Sequence, residues 1–377
     1  MILGAKKLRD TYKVKPDAPF HMREFGYYSL ERWAKEGHIP SIEKGTKEAE
    51  DFIAKTFQYD EPGNHNLDGL GWCEAGFEPV FETKVLEDLG DYELVQDFAG
   101  RGVLYFKGRR DGFMPEYREH PVKDMKTWEE NCKWRMDPFT SSRYTDFESR
   151  MARAKVAEGQ GRMITMNLVG GYMYLRSLMG PEELLYNFYD QPELIISCMD
   201  AWFNLADHVI EKYQENVSID ELFLAEDICY NHGLLISPDM VKEFLFPYYE
   251  QLYVNIKKRN MDKGKVVYLQ IDSDGDCLPA IELYRTIGAD MFSPFEVASG
   301  GDVVAIGKQF PDLIMLGGID KRKIAAGGDE LDRHLDAILP MMRKRGGYIP
   351  TCDHGVPEEV NFENFAHYRK RLLEYSK

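Results

Sequence analysis

Five short apolar runs in the C-terminal half of the chain constrain its fold more than any other feature. They cover residues 222–225, 266–271, 289–294, 313–316 and 348–350. Each run ends in acidic or other reactive residues and is followed by a helical pattern, so each is predicted to be a buried strand that leads into a helix. Short strands that alternate with helices require a parallel sheet, because each helix returns the chain to the same end of the sheet. The sequence therefore predicts an α/β fold.

Two architectures contain such a sheet, the (β/α)8 TIM barrel and the open doubly wound sheet. No predicted strand is followed by a G-x-G-x-x-G helix start or by a phosphate-binding P-loop. A barrel accounts better for reactive residues after all five strands, because barrel active sites lie at that rim. A chain of 377 residues is long enough for one barrel with insertions. We therefore predict a single (β/α)8 domain over residues 1–377.

Two segments of the N-terminal half do not fit the barrel repeat. Residues 1–60 have an irregular and helical pattern, which we interpret as an N-terminal helical extension. Between about residues 78 and 110, the runs YELVQDF and GVLYFKG flank a turn at residues 99–102, which predicts an antiparallel hairpin. We interpret this hairpin as an insertion that serves as a lid or as a dimer contact.

The composition excludes several classes of protein. The net charge of -17 at pH 7 argues against the clustered basic surface that nucleic acids need. No apolar run approaches the roughly 18 residues of a membrane helix, and the N-terminus does not resemble a secretory signal. The six cysteines lie far apart without a CxxC pair, which favours reduced thiols. These features predict a cytoplasmic protein without a nucleic-acid or membrane partner.

In a barrel, the residues that follow the strands meet around one pocket at the C-terminal rim. Here they are Glu226, Asp227, Asp272, Asp274, Glu296, Asp320, Cys352, Asp353 and His354. So many carboxylates cannot all stay ionised in a partly dry cavity, because like charges raise one another's pKa. A bound cation, protonation of some carboxyls, or arginines from the N-terminal segment would each relieve the repulsion.

Some residues of this set suit a metal ion or proton transfer. Asp272, Asp274 and Cys352, with Glu226 as a further candidate, offer oxygen and sulfur ligands for zinc or another divalent metal. His354 lies in a loop and is a candidate acid, base or hydrogen-bond donor near neutral pH. The alternative interpretation is that the aspartates cap turns and helices, and that Cys352 is a small buried apolar residue.

Four segments resemble the uroporphyrinogen decarboxylase superfamily, whose members are (β/α)8 barrels. The stretch from IDELFLAEDICYNHGLLISPDM to FLFPYYEQL is similar to the family's strand, acidic exit, Leu-Ser-Pro helix start and Phe-x-x-Pro-Tyr signature. LGGID resembles its glycine-containing strand end, and DHGVPEEVNFEN resembles its His-Gly-x-x-Pro segment and terminal helix. MREFGYYSLERW is similar to the N-terminal Met-Arg-Gln-Ala-Gly-Arg-Tyr stretch of the decarboxylases.

For the decarboxylase branch, the resemblance implies two arginines in that N-terminal stretch that hold substrate carboxylates. Arg23 matches the first, whereas Tyr27 stands in place of the second. The essential aspartate of the Phe-Ser-Asp motif has no counterpart in the sequence that we can place. The alternative hypothesis is cofactor-free decarboxylation of uroporphyrinogen, a step of porphyrin biosynthesis, or of a related carboxylated substrate. It would use Arg23 and an acid such as Asp320 or His354.

The second branch comprises methyltransferases that act with corrinoid proteins, thiols, tetrahydrofolate, or methoxylated and methylated amine compounds. Their zinc ligands are a His-x-Cys after one strand and a Cys near the C-terminus, which fall here on residues 272–274 (DSD) and on Cys352. Two ligands have become aspartate, which implies a harder, oxygen-rich metal site or none. The chain resembles this branch more closely, and the resemblance implies a homodimer.

The leading hypothesis is methyl transfer between a small methylated substrate and a corrinoid protein or tetrahydrofolate. The candidate catalytic residues are His354, Asp320 and Glu226. The candidate substrate-binding residues are Arg23, Tyr27, Asp227, Glu296 and Asp353. A non-catalytic binding protein on the same scaffold is a third hypothesis, which the density of reactive residues at the strand ends disfavours.

Overall fold

The computed structural model describes residues 1–41, 46–110, 115–262 and 264–376. In chain order the strands are β1 (Asn64–Leu70), β2 (Lys84–Leu89), β3 (Tyr92–Gln96), β4 (Gly102–Phe106), β5 (Glu116–Glu119), β6 (Met163–Val169), β7 (Glu221–Ala225), β8 (Cys229–Tyr230), β9 (Gly233–Leu234), β10 (Tyr268–Asp272), β11 (Met291–Ser293), β12 (Ile314–Leu316) and β13 (Tyr348–Ile349). The helices are α1 (Leu3–Tyr12), α2 (Leu30–Lys35), α3 (Lys47–Thr56), α4 (Met125–Thr127), α5 (Phe147–Gly159), α6 (Gly171–Met179), α7 (Pro181–Asp190), α8 (Pro192–Gln214), α9 (Pro238–Phe244), α10 (Phe246–Arg259), α11 (Leu278–Tyr284), α12 (Val303–Gln309), α13 (Lys321–Ala326), α14 (Gly328–Arg345) and α15 (Phe362–Ser376). None of these described helices is both long and apolar enough to cross a membrane.

Seven strands form one parallel sheet, in the order β1-β6-β7-β10-β11-β12-β13. Its last five strands coincide with the five apolar runs, so their prediction as parallel strands is confirmed. The sheet is curled, because side chains from β1 and from β12, near its opposite edges, line the same central cavity. The α/β fold is therefore TIM-barrel-like, with seven paired strands in the described part of the chain.

Residues 20–27 lie between the two edges of this curled sheet. On the side of β13, the Cys352 N–H donates to Glu24 Oε1 at 2.7 Å. On the side of β1, the Asp60 N–H donates to the Met22 carbonyl oxygen at 3.0 Å. These contacts place the segment where a closed eight-stranded barrel would have its remaining strand.

Several helices that follow strands begin at a residue whose side chain caps their first turn. The Ser237 hydroxyl accepts the Met240 N–H at 3.2 Å, and Pro238 occupies the first position of α9. Asp302 caps α12 by accepting two backbone N–H groups, and Asp320 caps α13. These caps fix the start of each helix after its rim loop.

Helix α1 seals the N-terminal end of the sheet. Arg9 donates to the carbonyl oxygens of Gly161 at 2.8 Å and Arg162 at 3.1 Å, and forms an ion pair with Asp220 at 3.1 Å. The same helix contributes apolar side chains to a small core beneath the strands, formed by Leu8, Tyr12, Met163, Met291, Ile314, Leu316 and Ile349. Access to the interior is therefore from the opposite, C-terminal rim.

The insertion between β1 and β6 is larger than the single hairpin predicted for residues 78–110. Strands β2 to β5 form a four-stranded antiparallel sheet, in which β3 and β4 pair across residues 97–101. All six residues of the edge strand β2 are exposed. Two added strands escaped prediction because exposed strands have no apolar run to mark them. The role of this sheet as a lid or dimer contact stays a prediction.

Candidate active site

A cavity of about 150 Å³ lies inside the curled sheet. It is lined by Tyr12, Arg23, Phe25, Asn64, Asn66, Trp72, Thr165, Asn167, Glu221, Phe223, Gln270, Asp272, Ser293 and Leu316. Side chains alternate between the two faces of a strand, so every second strand residue points inward. Branched apolar side chains usually fill a barrel interior. The polar lining therefore marks this cavity as a candidate binding site.

Hydrogen bonds join three side chains in the cavity, those of Gln270, Ser293 and Asp272. Asp272 ends β10, and the hydroxyl of Ser293 on the neighbouring strand donates to its Oδ2. Gln270 Nε2 donates in turn to Ser293 Oγ at 2.9 Å. Because the amide nitrogen can only donate, the hydroxyl proton of Ser293 is left for the carboxylate. We call this chain of two hydrogen bonds, from Gln270 through Ser293 to Asp272, the relay.

Burial raises the pKa of Asp272 to about 7. The Ser293 hydrogen bond opposes this rise, and the charges of Asp274 and Asp227 add to it. The charge of His354 lowers the pKa again. Near neutral pH, Asp272 can therefore exist as a carboxylic acid or as a carboxylate, which suits a group that binds a cation or transfers a proton.

His354 and Asp274 face each other at the cavity mouth. His354 Nε2 lies 3.5 Å from Asp274 Oδ2, and the imidazole stacks on the Tyr28 ring at 5.9 Å and contacts the Phe25 ring at 5.6 Å. The hydrogen bond with Asp274 raises the pKa of His354, although burial acts in the opposite direction. The pair thus places a cation next to the Asp272 site, as expected for a rim residue.

A second ion pair, between Arg176 and Asp227, lies at the rim. Arg176 is in α6, and its Nη2 is 2.8 Å from Asp227 Oδ2. Asp227 has a φ of 43°, a left-handed backbone conformation that non-glycine residues rarely adopt. Burial raises the pKa of Asp227, whereas Arg176 lowers it. The Asp227 carboxylate is therefore held by Arg176 at the rim, and its role in substrate binding stays a prediction.

The two N-terminal candidates are in different environments. Arg23 lines the cavity, as expected for a residue that holds a substrate anion. The Tyr27 hydroxyl contacts the Tyr59 hydroxyl, and its ring packs edge-on against Trp33 and Phe365. Tyr27 is therefore a packing residue at the junction with α15, and it does not line the cavity.

Glu226 lies outside the cavity, and its candidate role in catalysis stays a prediction. It is fully buried and accepts hydrogen bonds from the Tyr249 hydroxyl at 2.7 and 2.8 Å and from the Tyr284 hydroxyl at 2.9 Å. These tyrosines belong to α10 and α11, which cover the outside of the sheet. Burial raises the pKa of Glu226 to about 7. Adjacent residues at a strand end point to opposite sides, so Glu226 faces the helices whereas Asp227 faces the rim.

Asp320 is also a structural residue and not a cavity residue. It caps α13 by accepting the Arg322 N–H at 2.8 Å, and its carboxylate forms an ion pair with the Arg322 guanidinium at 2.9 Å. The His334 ring nitrogen accepts the Asp320 N–H at 3.0 Å. Although burial acts in the other direction, Arg322 holds the pKa of Asp320 below its usual range. An ionised, paired cap is poorly suited to proton donation, and the candidate catalytic role of Asp320 stays a prediction.

Asp353 and Glu296 tie the rim loops together. The fully buried Asp353 accepts the N–H groups of Val297 and Lys321, both at 3.0 Å. The Lys321 ammonium group is 3.0 Å from Glu296 Oε1. Glu296 also accepts the Gly275 N–H at 3.1 Å. Neither carboxyl lines the cavity, so they support the rim loops without contacting its interior.

The predicted metal ligands are not gathered into one group. Asp272 and Asp274 are electrostatic neighbours of each other, whereas Cys352 is fully buried with its Sγ 3.9 Å from Asp353 Oδ1. Burial raises the pKa of the Cys352 thiol, which keeps it protonated. Among the described residues, no three histidine, cysteine, aspartate or glutamate side chains are arranged to hold a metal ion. The donor set does not fit the expected metal in this arrangement.

The sequence analysis missed most of the residues that line the cavity. Asn66, Asn167, Gln270, Ser293 and the stacked pair of Trp72 and Phe223 were not singled out. The signal that identifies the amides and the serine is their position at alternate residues of strands whose other side chains are apolar. Arg176 was also missed, because α6 reads as a packed aromatic helix.

Comparisons with known proteins found a family model and solved structures to which the chain is similar. The family model described as uroporphyrinogen decarboxylase (URO-D) matches residues 150–375. A methyltransferase from Methanosarcina mazei has the same fold, with a TM-score of 0.61, 14% identity and coverage of 100% of both chains. A B12-independent methionine synthase from Shewanella is 13% identical over 74% of each chain, with a TM-score of 0.34. No curated protein sequence matches the chain. Because the family model covers more than half of its length, the chain belongs to the uroporphyrinogen decarboxylase family.

Proposed function

We propose that this protein transfers a methyl group from a small substrate, bound in the barrel cavity, to a carrier at the rim. The observation that carries the proposal is the small polar cavity in which Asp272 lies beside Asp274, Asp227 and His354. The full-length likeness in fold to a methyltransferase supports this choice of reaction. A closed (β/α)8 barrel, with residues 20–27 in the remaining strand position, is part of the proposal.

The size of the cavity limits the substrate. Pockets for drug-sized ligands measure roughly 300 to 1,000 Å³, whereas this cavity measures about 150 Å³. A tetrapyrrole is larger than a drug-sized ligand and would not enter the barrel. This difference favours a small methyl donor over uroporphyrinogen as the substrate.

Asp272 has two chemical uses in such a reaction. As a carboxylate it stabilises a cationic methyl donor, and as an acid it gives a proton to an oxygen from which a methyl group departs. The relay from Gln270 through Ser293 orients its carboxyl group. His354 and Arg176, each paired with an acidic residue, bring positive charge to the rim and limit the repulsion among the carboxylates.

The methyl carrier would be a corrinoid protein or tetrahydrofolate. Either group, when bound, would supply the nucleophile that accepts the methyl group. Neither fits inside a cavity of about 150 Å³, so the carrier has to approach the substrate from the rim. The chain's own part is to bind the donor with its methyl group directed outward. A homodimer, implied by the family resemblance, stays a prediction.

A divalent metal held by Asp272, Asp274 and Cys352 also stays a prediction. Cys352 is fully buried, and burial raises the pKa of its thiol. Metal analysis of the purified protein and of the Asp272→Ala and Cys352→Ala variants tests it. Equal loss of bound metal in both variants would support the predicted set of ligands.

Decarboxylation of a small carboxylated substrate is the second candidate function. It is favoured by Arg23, which can hold a carboxylate, and by Asp272, which can protonate the carbanion left after CO₂ departs. Neither step needs a cofactor. Release of CO₂ from a small acid without methyl loss would select this function.

A product assay separates these reactions. The purified protein is incubated with methylated amines, methyl ethers or methyl thioethers, together with reduced cobalamin or tetrahydrofolate, and demethylated products are quantified by NMR. Uroporphyrinogen is tested in parallel for conversion to coproporphyrinogen. The proposal predicts carrier-dependent demethylation of at least one small donor and no coproporphyrinogen. Formation of coproporphyrinogen, without demethylation of any donor, would reject it.

A further inference from the structure

The barrel cavity has an unpaired positive charge at its inner end. The Arg23 guanidinium lines the cavity, and among the described residues it forms no ion pair and donates no hydrogen bond. Burial raises the pKa of Tyr12 and of Glu221, and the charge of Arg23 counteracts both rises. Because Tyr12 belongs to the helix that seals the sheet, Arg23 lies toward the closed end of the cavity.

Glu221 also lines the cavity, but its carboxyl group is held by other partners. Its two carboxyl oxygens accept the hydroxyl groups of Tyr12 and Thr165, and burial raises its pKa. No ion pair joins it to Arg23. An unpaired guanidinium in a confined cavity favours an anionic group of a ligand, and a planar carboxylate matches its two parallel N–H donors.

The rim end of the same cavity has the opposite charge. Asp272 lines the cavity and accepts a hydrogen bond from the neutral Ser293 hydroxyl, but no lysine or arginine of the described chain forms an ion pair with it. Asp274 and Asp227, which act on it electrostatically, are paired with His354 and Arg176. Among the described residues, therefore, neither the Asp272 carboxylate nor the Arg23 guanidinium has a direct ion-pair partner in the cavity.

Three aromatic rings complete the wall. Trp72 and Phe223 stack with their centroids 5.1 Å apart and an angle of 12° between the rings, and Phe25 lies against the imidazole of His354. All three rings line the cavity together with Asp272. Aromatic faces and a carboxylate attract methylated ammonium groups, which cannot donate a hydrogen bond when fully substituted. The same rings would not favour a bare, strongly hydrated ammonium ion.

We infer that the cavity binds a small zwitterion, with its carboxylate on Arg23 and a methylated ammonium group between Asp272 and the aromatic wall. A cavity of about this volume accommodates a molecule the size of benzene, so the ligand has roughly six to eight heavy atoms. Such a molecule supplies both missing charges at once. The inference rests on the proposed function for the fate of the ligand, and on the cavity alone for its binding.

Loss of a methyl group from this ligand needs no proton donor. A reduced corrinoid, when bound at the rim, would supply the nucleophile that takes the methyl group, and the electron pair of the broken carbon–nitrogen bond would stay on nitrogen. The cationic ammonium becomes a neutral amine. Asp272 acts here as the carboxylate that holds the cation, while Arg23 fixes the other end of the molecule.

Binding of three matched probes to the purified full-length chain tests the inference by isothermal titration calorimetry. N,N,N-trimethylglycine contains both charges, choline lacks the carboxylate, and 3,3-dimethylbutanoate replaces the ammonium nitrogen by carbon. We expect trimethylglycine to bind at least tenfold more tightly than either of the other two. Equal affinity for trimethylglycine and dimethylbutanoate, or no binding of trimethylglycine at millimolar concentration, would overturn the inference.

Charge-neutral variants locate the two ends of the ligand. Arg23→Gln should reduce the affinity for trimethylglycine at least tenfold and leave the affinity for choline unchanged. Asp272→Asn should also reduce the affinity for trimethylglycine at least tenfold, but leave the affinity for dimethylbutanoate unchanged. The controls are Arg153→Gln and Asp239→Asn, which replace exposed residues away from the cavity. Circular dichroism verifies that each variant is folded. If both cavity variants bind trimethylglycine as tightly as the controls, the assignment is wrong.

Two results separate a failure of this inference from a failure of the proposed function. Selective binding of trimethylglycine without demethylation in the presence of either carrier would retain this inference and reject methyl transfer. Carrier-dependent demethylation of an uncharged donor, with no binding of trimethylglycine, would retain methyl transfer and reject the zwitterion.

Discussion

The Ser293 hydroxyl donates a hydrogen bond to the Asp272 carboxylate, because the hydroxyl oxygen already accepts a hydrogen bond from Gln270 Nε2 at 2.9 Å. This bond stabilises the ionised form of Asp272 and lowers its pKa, against the larger effect of burial. Ser293→Ala should therefore raise the Asp272 pKa above its value of about 7. We expect the inflection of kcat/KM against pH to move to higher pH by about one unit. In Ser293→Thr, which keeps the hydroxyl, the inflection should stay in place; an equal shift in both variants would contradict the relay.

The pairing of His354 with Asp274 predicts that loss of the aspartate charge lowers the pKa of His354. Their hydrogen bond raises the pKa of His354 above its ordinary value of 6.5. Asp274→Asn removes the negative charge, so the imidazole should lose its proton at a lower pH. NMR titration of labelled histidine follows this midpoint, with His354→Gln to assign the signal. An unchanged midpoint in Asp274→Asn would show that the two side chains do not interact in solution.

Glu226 predicts part of the pH dependence of stability. Its pKa is about 7 in the folded chain, against an ordinary value of 4.5, so the folded state keeps a proton that the unfolded state has lost. Its favourable contribution is complete below pH 4.5 and decreases as the pH rises to about 7. The change amounts to about 3 kcal/mol.

Urea unfolding of Glu226→Gln measures this contribution. The variant's free energy of unfolding should fall less steeply than the wild type's between pH 4.5 and 7, whatever its absolute value. Asp239→Asn, at an exposed carboxyl, provides the control and should leave the slope unchanged. Parallel slopes for wild type and Glu226→Gln would mean that Glu226 is ionised throughout this range.

Gly317 is a position where a side chain would disrupt the strand exit. A Cβ there would lie 1.7 Å from the Pro294 carbonyl oxygen, and its φ is 111°. We expect Gly317→Ala to destabilise the fold by at least about 3 kcal/mol, as strain and a backbone clash combine. Gly37→Ala isolates the strain, because Gly37 has a φ of 81° with open space around it. It should cost about 1 to 2 kcal/mol in chemical denaturation, and a similar loss at both positions would contradict the clash.

The parallel strands could be predicted because each one is a buried apolar run followed by polar residues and a helix. That pattern also placed Asp272, Asp274, Asp227 and His354 at a common rim. It could not tell Glu226 from Asp227, since these neighbours differ in the side of the sheet that they face. A one-residue difference in direction depends on how the strand leaves the sheet, which tertiary packing decides.

The polar interior illustrates a second limit of the sequence. Asn167 and Gln270 lie within strands that read as continuous apolar runs, so their inward direction becomes evident when the curled sheet is known. The direction of the Cys352 side chain also becomes evident only from the structure. Its position after a strand resembles that of a metal ligand in the family. Its side chain packs in the buried layer beside Asp353, and its role as a metal ligand stays a prediction. Residue type and spacing identified candidate chemistry, but the face of each strand determines which candidates reach the cavity.

The central claim is that Asp272 acts on a methyl donor inside the barrel. The most direct test is the rate of donor demethylation, measured by NMR with a reduced corrinoid or tetrahydrofolate, in wild type, Asp272→Asn and Asp239→Asn. We predict that Asp272→Asn lowers kcat/KM at least a hundredfold, an effect of about 2.7 kcal/mol on the barrier, while Asp239→Asn equals the wild type. Demethylation at the wild-type rate by a folded Asp272→Asn variant would contradict the claim.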